Sequence, residues 1–137
     1  MMAKAWIHAA SSARKFGGVP DDYMPLHELM DSSKKVIADN RHRILTHHSW
    51  FIAEIIPRIF GKTAVNSDGR TYCPADVAEQ HVLEDFAHRF IPTPQDFIQG
   101  WMEMEDWMNN GRRGAVPPSA TNLYKGKAGT VTYELKD

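Results

Sequence analysis

Between Ala38 and Phe60 the chain reads ADNRHRILTHHSWFIAEIIPRIF, and its apolar residues recur at the helical period. At about 100° per residue, with His48 set at zero, Ile44, Leu45, Phe51, Ile52, Ile55, Ile56 and Ile59 fall within about 80° of it. That is one broad apolar stripe with a histidine at its centre. Pro57 falls on the opposite face, where a missing N–H and a bend do least harm. The pattern predicts a central helix over about 38–60.

The flanking segments predict further helices. In KAWIHAASSARKF (4–16), Trp6, Ala9, Ala10, Ala13 and Phe16 share a side, and Gly17-Gly18 supplies the stop. A second helix begins near Tyr23, with Asp22 as its cap and Pro25 in its first turn. Leu26, Leu29 and Met30 make its buried side, with His27 at the edge. A third runs from Pro74 to about Arg89, where Val82, Leu83, Phe86 and Phe90 cover one face and His81, Glu84, Asp85 and His88 the other. Thr93 caps a last helix in PQDFIQGWMEMEDWM.

Two stretches break this period. Asn66-Ser67-Asp68-Gly69 is a turn between short strand-forming runs, which predicts a β-hairpin over about 62–73. Two strands alone are marginal, so this hairpin must lean on the helices. From Asn109 the chain turns to Gly, Pro and Asn. The expected fold is therefore mainly α: a compact bundle of about five helices around the central one, with a small β-hairpin and an extended C-terminal tail. The helical domain spans 1–109. The tail, 110–137, forms a second hairpin or an arm that contacts a partner.

Composition narrows the function classes. A chain of 137 residues with 42% hydrophobic and 24% charged residues is ordinary for one soluble domain. The net charge of −1 argues against nucleic acid or an anionic membrane surface as partner. No apolar run is long enough for a membrane span, and MMAKAWIHAA makes a poor signal peptide, so the expected location is the cytoplasm of a bacterial host, or a virion. Cys73 stands alone, which excludes an internal disulfide and a CxxC zinc site.

Chemistry is concentrated in the seven histidines. His81, Asp85 and His88 point in one direction from a regular helix, and imidazole with carboxylate suits zinc, manganese or iron. A polar stripe opposite an apolar one is also what any surface helix has. His48, inside the isoleucine stripe, must satisfy its ring through a carboxylate, a carbonyl or a metal. On a continuous helix His42 and His47 diverge from His48 by about 100° or more, so they do not chelate with it. Arg41 lies near the stripe as an anion binder, whereas Arg43 faces outward with Glu54. Phosphate-binding glycine loops and nucleophile-elbow motifs are absent.

The segments HAASSARKFGG, VPDDY, RHRILTHH, NSDG and EQHVLED resemble, in this order, a family of small uncharacterised proteins of bacteria and their phages. The resemblance runs from about Trp6 to Trp101. The family pattern includes His8, His27, His42, His47, His48, His81, Glu79 and Asp85, but not His88. It implies a site shared between helices, around His48, His81 and Asp85.

Two functional expectations follow. In the first, this is a small phage- or prophage-type accessory or structural protein that acts by binding a protein partner or by self-association, using its tail and the WMEMEDWM segment. In the second, it is a metal-dependent hydrolase of a phosphate-containing small molecule. His48, His81 and Asp85 would hold one divalent transition metal, with His27 or His42. Glu79 or Glu84 would act as base, and Arg41 would neutralise phosphate. Binding ranks ahead, because the sequence displays no complete catalytic set.

Overall fold

The structure, a computed structural model, describes residues 4–102, 104–113 and 116–117. Its first helix, α1 (Ala5–Phe16), stops where Gly17 turns to φ +90° and its N–H closes on Ala13 O. A 3₁₀ turn at Pro20–Asp22 leads to α2 (Met24–Asp31), with Pro25 in the first turn. The hairpin pairs β1 (Ala64–Val65) antiparallel with β2 (Thr71–Tyr72), Ala64 opposite Tyr72. It is shorter than the predicted span and leans on the α1–α2 junction as expected. Asn66 Nδ2 donates to Phe16 O and to the Tyr23 hydroxyl, which itself donates to Gly17 O. Gly18 sits at φ +73°, and a Cβ there would clash with Asp22 Oδ2.

The predicted central helix is the main departure. Asn40–Ile44 is a 3₁₀ turn, opened by Asp39 accepting from Arg41 N–H, and the chain turns again through Leu45–His48. Regular helix begins only at Ser49, passes through a π turn at Phe51–Ile55, and ends as α3 (Ile56–Phe60) at Gly61. The π turn sits just ahead of Pro57, which has no N–H for Ala53 O and whose ring crowds that carbonyl; the i→i+5 bond from Ile56 to Phe51 O absorbs this. The break rotates the stripe out of register. Ile52 and Ile56 are fully buried, while Leu45 and Ile59 are about half exposed, at 47% and 55%.

The chain continues in α4 (Pro74–Asp85) and α5 (Pro94–Gly100). Thr93 caps α5 as predicted: its hydroxyl accepts from Asp96 N–H while its own N–H donates to the Asp96 carboxylate. Helix α4 ends at Asp85, earlier than expected, because Ala87 and His88 take positive φ. It packs against α1, α2 and α3. Both of its faces are therefore inside: Val77, Ala78 and Val82 are buried, and so are His81 and Asp85. Phe86, Phe90, Phe97 and Trp107 close the far end as an aromatic group with ring centroids 5.1–6.5 Å apart. Among the described residues no helix is long and apolar enough to cross a membrane. The predicted tail reaches its greater part, 118–137, outside the described residues.

Candidate metal centre

Helices α2 and α4 carry the same spacing: His27-x-x-x-Asp31 and His81-x-x-x-Asp85. Residues four apart on a helix share a face. Packing α2 on α4 turns the two faces toward one another. Asp31 Oδ1 lies 3.2 Å from His81 Nε2, and His27 Nδ1 lies 2.8 Å from His81 Nδ1. The turn after the 3₁₀ segment adds His47, whose Nε2 is 2.9 Å from Asp85 Oδ2 and 3.8 Å from Asp31 Oδ1. His81 Nε2 is 3.3 Å from Asp85 Oδ2. One donor atom from each of Asp31, His47, His81 and Asp85 thus lies within 4.8 Å of all the others.

The hydrogen bonds behind the rings decide which nitrogen carries the proton. Gln80 donates both amide hydrogens, to Glu84 Oε1 and His8 O, so its Oε1 must accept. The Ser12 hydroxyl supplies that proton at 2.6 Å. Ser12 Oγ, 2.8 Å from His27 Nε2, then accepts from it. Neutral His27 keeps a lone pair on Nδ1 and accepts from His81 Nδ1–H. His81 is left with a bare Nε2 aimed at two carboxylates. The same logic holds for His47. Thr46 gives its one proton to Met30 O, so Thr46 Oγ1 accepts from His47 Nδ1–H at 2.7 Å, and Nε2 is again bare. Two lone pairs therefore face two anions in a buried space. Only a cation relieves that arrangement, whether a proton or a metal.

Burial resists the proton. It lowers the pKa of His47 to about 3, although the Asp85 carboxylate 2.9 Å away favours the charged ring. Burial, with the neighbouring His81 and His8, brings His27 to about 2. The carboxylates stay ionised. Burial opposes their charge, but with no metal in place protons shared with His47, His8 and His81 hold Asp85 well below the usual range, and one shared with His81 lowers Asp31. The spacing suits a metal: donors about 2.0–2.2 Å from a tetrahedral ion stand about 3.3 Å from one another.

Two cations hold the back of Asp85. Arg43, buried under Phe86 with its guanidinium carbon 5.2 Å from the ring centroid, brings Nη2 to 3.8 Å from Asp85 Oδ1. His8 stacks on His81 at 3.8 Å and places Nε2 3.3 Å from the same oxygen, close enough for charge attraction but out of line for a hydrogen bond. Its Nδ1 meets Glu84 at 2.7 Å. Burial opposes a charge on His8, but Asp85 and Glu84 outweigh it and raise its pKa to about 9. Asp85 thus keeps Oδ2 for the centre while Oδ1 is neutralised from behind.

The expected site residues fall into distinct places. His81 and Asp85 belong to the centre. His27 stands behind His81. His42 bonds Ser33 through Nδ1 and packs edge-on against His47 at 5.4 Å. His48 lies outside, against Trp50, Phe51 and Phe97, where burial lowers its pKa to about 4. His47 takes the place expected of His48 because the chain there is not a continuous helix. Arg43 is buried, not solvated as predicted. Arg41 is held by Asp39 at 2.8 Å and stacks on Trp101 at 5.0 Å, so its charge is already matched. Glu84 meets His8, Ser11 and Gln80, and neither it nor the half-buried Glu79 on α4 is one of the four converging residues. His88 is exposed beyond the helix end. Asp31 and His47 were not in the predicted set. The repeated His-x-x-x-Asp spacing pointed to Asp31, whereas nothing local pointed to His47.

A family model described as a domain of unknown function, DUF6915, matches residues 3–108, and the chain belongs to that family. No curated protein and no solved structure matches it.

Proposed function

We propose that this DUF6915 protein binds one divalent transition metal at Asp31, His47, His81 and Asp85 and uses it in hydrolysis. One observation carries the reading: two imidazole nitrogens and two carboxylate oxygens converge within 4.8 Å of one another, and the other nitrogen of each ring is held by a hydrogen bond from behind. Two nitrogens and two oxygens suit zinc, manganese or ferrous iron. An ion that takes a water as a further ligand beside these four would lower the pKa of that water and polarise an ester oxygen. The chain's own residues fix the ligands. Ser12 and His27 orient His81, Thr46 orients His47, and His8 with Arg43 holds Asp85.

The accessory-protein reading, acting in a bacterium or phage through protein contacts or self-association, draws on the tail and on WMEMEDWM. Trp107 and Met108 of that segment are buried in the core, and Trp101 covers Arg41, which favours a packing role for them. The metal centre therefore supports the hydrolytic reading more directly.

Elemental analysis of the untagged protein after dialysis tests it. About one equivalent of a transition metal is expected in the wild type, and a loss of most of it in His47→Ala and His81→Ala. Hydrolysis of a panel of chromogenic phosphate esters should follow the metal content. Failure to retain any transition ion sinks the proposal. Retention without turnover of any ester reduces it to a structural metal site.

A further inference from the structure

Of the four converging residues, His47, His81 and Asp85 are buried, and only Asp31 reaches solvent, with 13% of its side chain exposed. Anything arriving from solution meets the centre past Asp31. A depression of about 320 Å³ opens there, and its lining includes Lys4, Lys34 and Lys35 as well as Glu28 and Asp31. It is shallow and open to solvent.

The charges around this depression are unbalanced. Lys34 Nζ stands 3.8 Å from Asp31 Oδ2, while Asp31 Oδ1 is turned inward toward His81. Three lysines and two acids line the depression, and Asp31 divides its charge between Lys34 and the centre. Helix α1 also begins here. Lys4 is its cap residue, with no side-chain cap and no acid in the first turn, so the positive end of the helix adds to the same field. Arg41, the expected anion binder, is matched by Asp39 and is not among the residues lining this depression.

We propose that the depression ringed by Lys4, Lys34 and Lys35 beside Asp31 is the substrate entry and holds the phosphate of a small phosphate ester. The inference rests on the hydrolytic reading above and names its substrate class. The lysines neutralise the phosphate oxygens as point charges, and the centre lies across Asp31 from them. The reaction balances without a redox partner. The oxygen of water bonds to phosphorus, the ester P–O bond breaks, and the protons of water are shared between the departing alcohol and the released phosphate.

Inorganic phosphate, the common product, is the probe. It is titrated calorimetrically into zinc-loaded protein freed of excess ion, with zinc content measured on the same samples. The variants are Lys35→Ala and the double change Lys4→Ala with Lys35→Ala, both on exposed side chains. The wild type should bind phosphate, and the double variant about tenfold more weakly or worse, with zinc unchanged. Equal affinity in the double variant, or no wild-type binding up to about 10 mM phosphate, overturns the proposal. Should the wild type hold no zinc, the metal reading fails on its own. The same titration on metal-free protein then decides: lysine-dependent phosphate binding upholds the entry site, and its absence removes it.

Discussion

Two polar networks in this molecule are built from similar residues and end differently. At the hairpin junction, Asp22 Oδ2 receives Val19 N–H at 2.9 Å, Ser67 N–H at 3.0 Å and the Ser67 hydroxyl at 2.8 Å. Asp68 accepts from Gly18 N–H at 2.8 Å. Every contact there sets a donor against an acceptor, and the backbone hydrogen bonds hold Asp22 below the usual carboxylate range. At the centre, Asp31 and Asp85 are as close to nitrogen atoms, but those nitrogens present lone pairs. The first network is closed and pins a hairpin. The second is complete behind its rings and open in front of them. Proximity of charged groups is therefore a poor guide to function, and the direction of each proton is a better one.

The largest expected effect comes from removing the carboxylate that both buried cations share. Asp85→Ala leaves Arg43 and His8 without their common counter-charge in the interior. The loss should be about 3–5 kcal/mol, the range for a broken buried ion pair. Equilibrium urea unfolding measures it. Asp22→Ala at the solvated hairpin junction should cost clearly less. Equal losses would show that burial of the centre adds nothing beyond ordinary hydrogen bonding.

Much of this contrast was hidden in the sequence for a physical reason. Helices α1, α2, α4 and α5, the Gly17-Gly18 stop, the Thr93 cap and the Asn66–Gly69 turn are local signals, and they are legible because neighbours in sequence produce them. The break before Ser49 is not local. An apolar stripe of helical period runs from Ile44 to Ile59, yet Arg43, Thr46 and His47 are all buried. Their polar atoms are met from afar: Thr46 by Met30 O, Arg43 and His47 by Asp85. Those tertiary contacts override the period, and periodicity cannot register them. On α4, the polar face has the pattern of a solvated surface, and it is buried only because the helix packs on three neighbours, a fact about topology. The two His-x-x-x-Asp pairs were visible throughout. The second was passed over because His27 sits at the edge of an apolar face that already explained its burial.

Acid should separate the networks next. In the metal-free protein the pKa values of His27, His42, His47 and His48 are lowered to about 2, 4, 3 and 4, burial being the leading cause in each. The unfolded chain takes up protons near 6.5 and the folded one does not, so stability is present above pH 6.5 and is lost as pH falls from there toward 4. His8 runs the other way. Its pKa is raised to about 9, so its contribution is complete below 6.5 and is lost as pH rises through 9. Asp22, with a lowered pKa, holds its contribution until the carboxylate range. Urea midpoints at pH 7.0 and 5.0 should therefore fall by the sum of several histidines, and amide exchange should open around His47 before it opens at the hairpin. A midpoint unchanged between these pH values would mean that the histidines are not held neutral.

The smallest effect is also the most specific. Ser12→Ala deletes a single hydroxyl, 2.8 Å from His27 Nε2, and touches none of the four converging residues. It removes the acceptor that keeps His27 Nδ1 free of a proton, and with it the reason for His81 to hold its own proton on the far nitrogen. His27 can then take the other tautomer and donate toward His81 Nδ1, which moves the His81 proton onto the nitrogen that faces Asp31 and Asp85. A metal must displace that proton, so affinity should drop by roughly 10- to 100-fold, the usual cost of losing a hydrogen bond behind a metal ligand. Competition with a chromophoric chelator reads the constant directly. Ser67→Ala is the matched control: it also removes a hydroxyl that serves a carboxylate, but in the closed network. It should leave metal affinity unchanged. If the two serine variants bind metal alike, the orientation of the His81 proton is not set from behind, and the distinction between an open and a closed network fails at the point where it is most exposed to test.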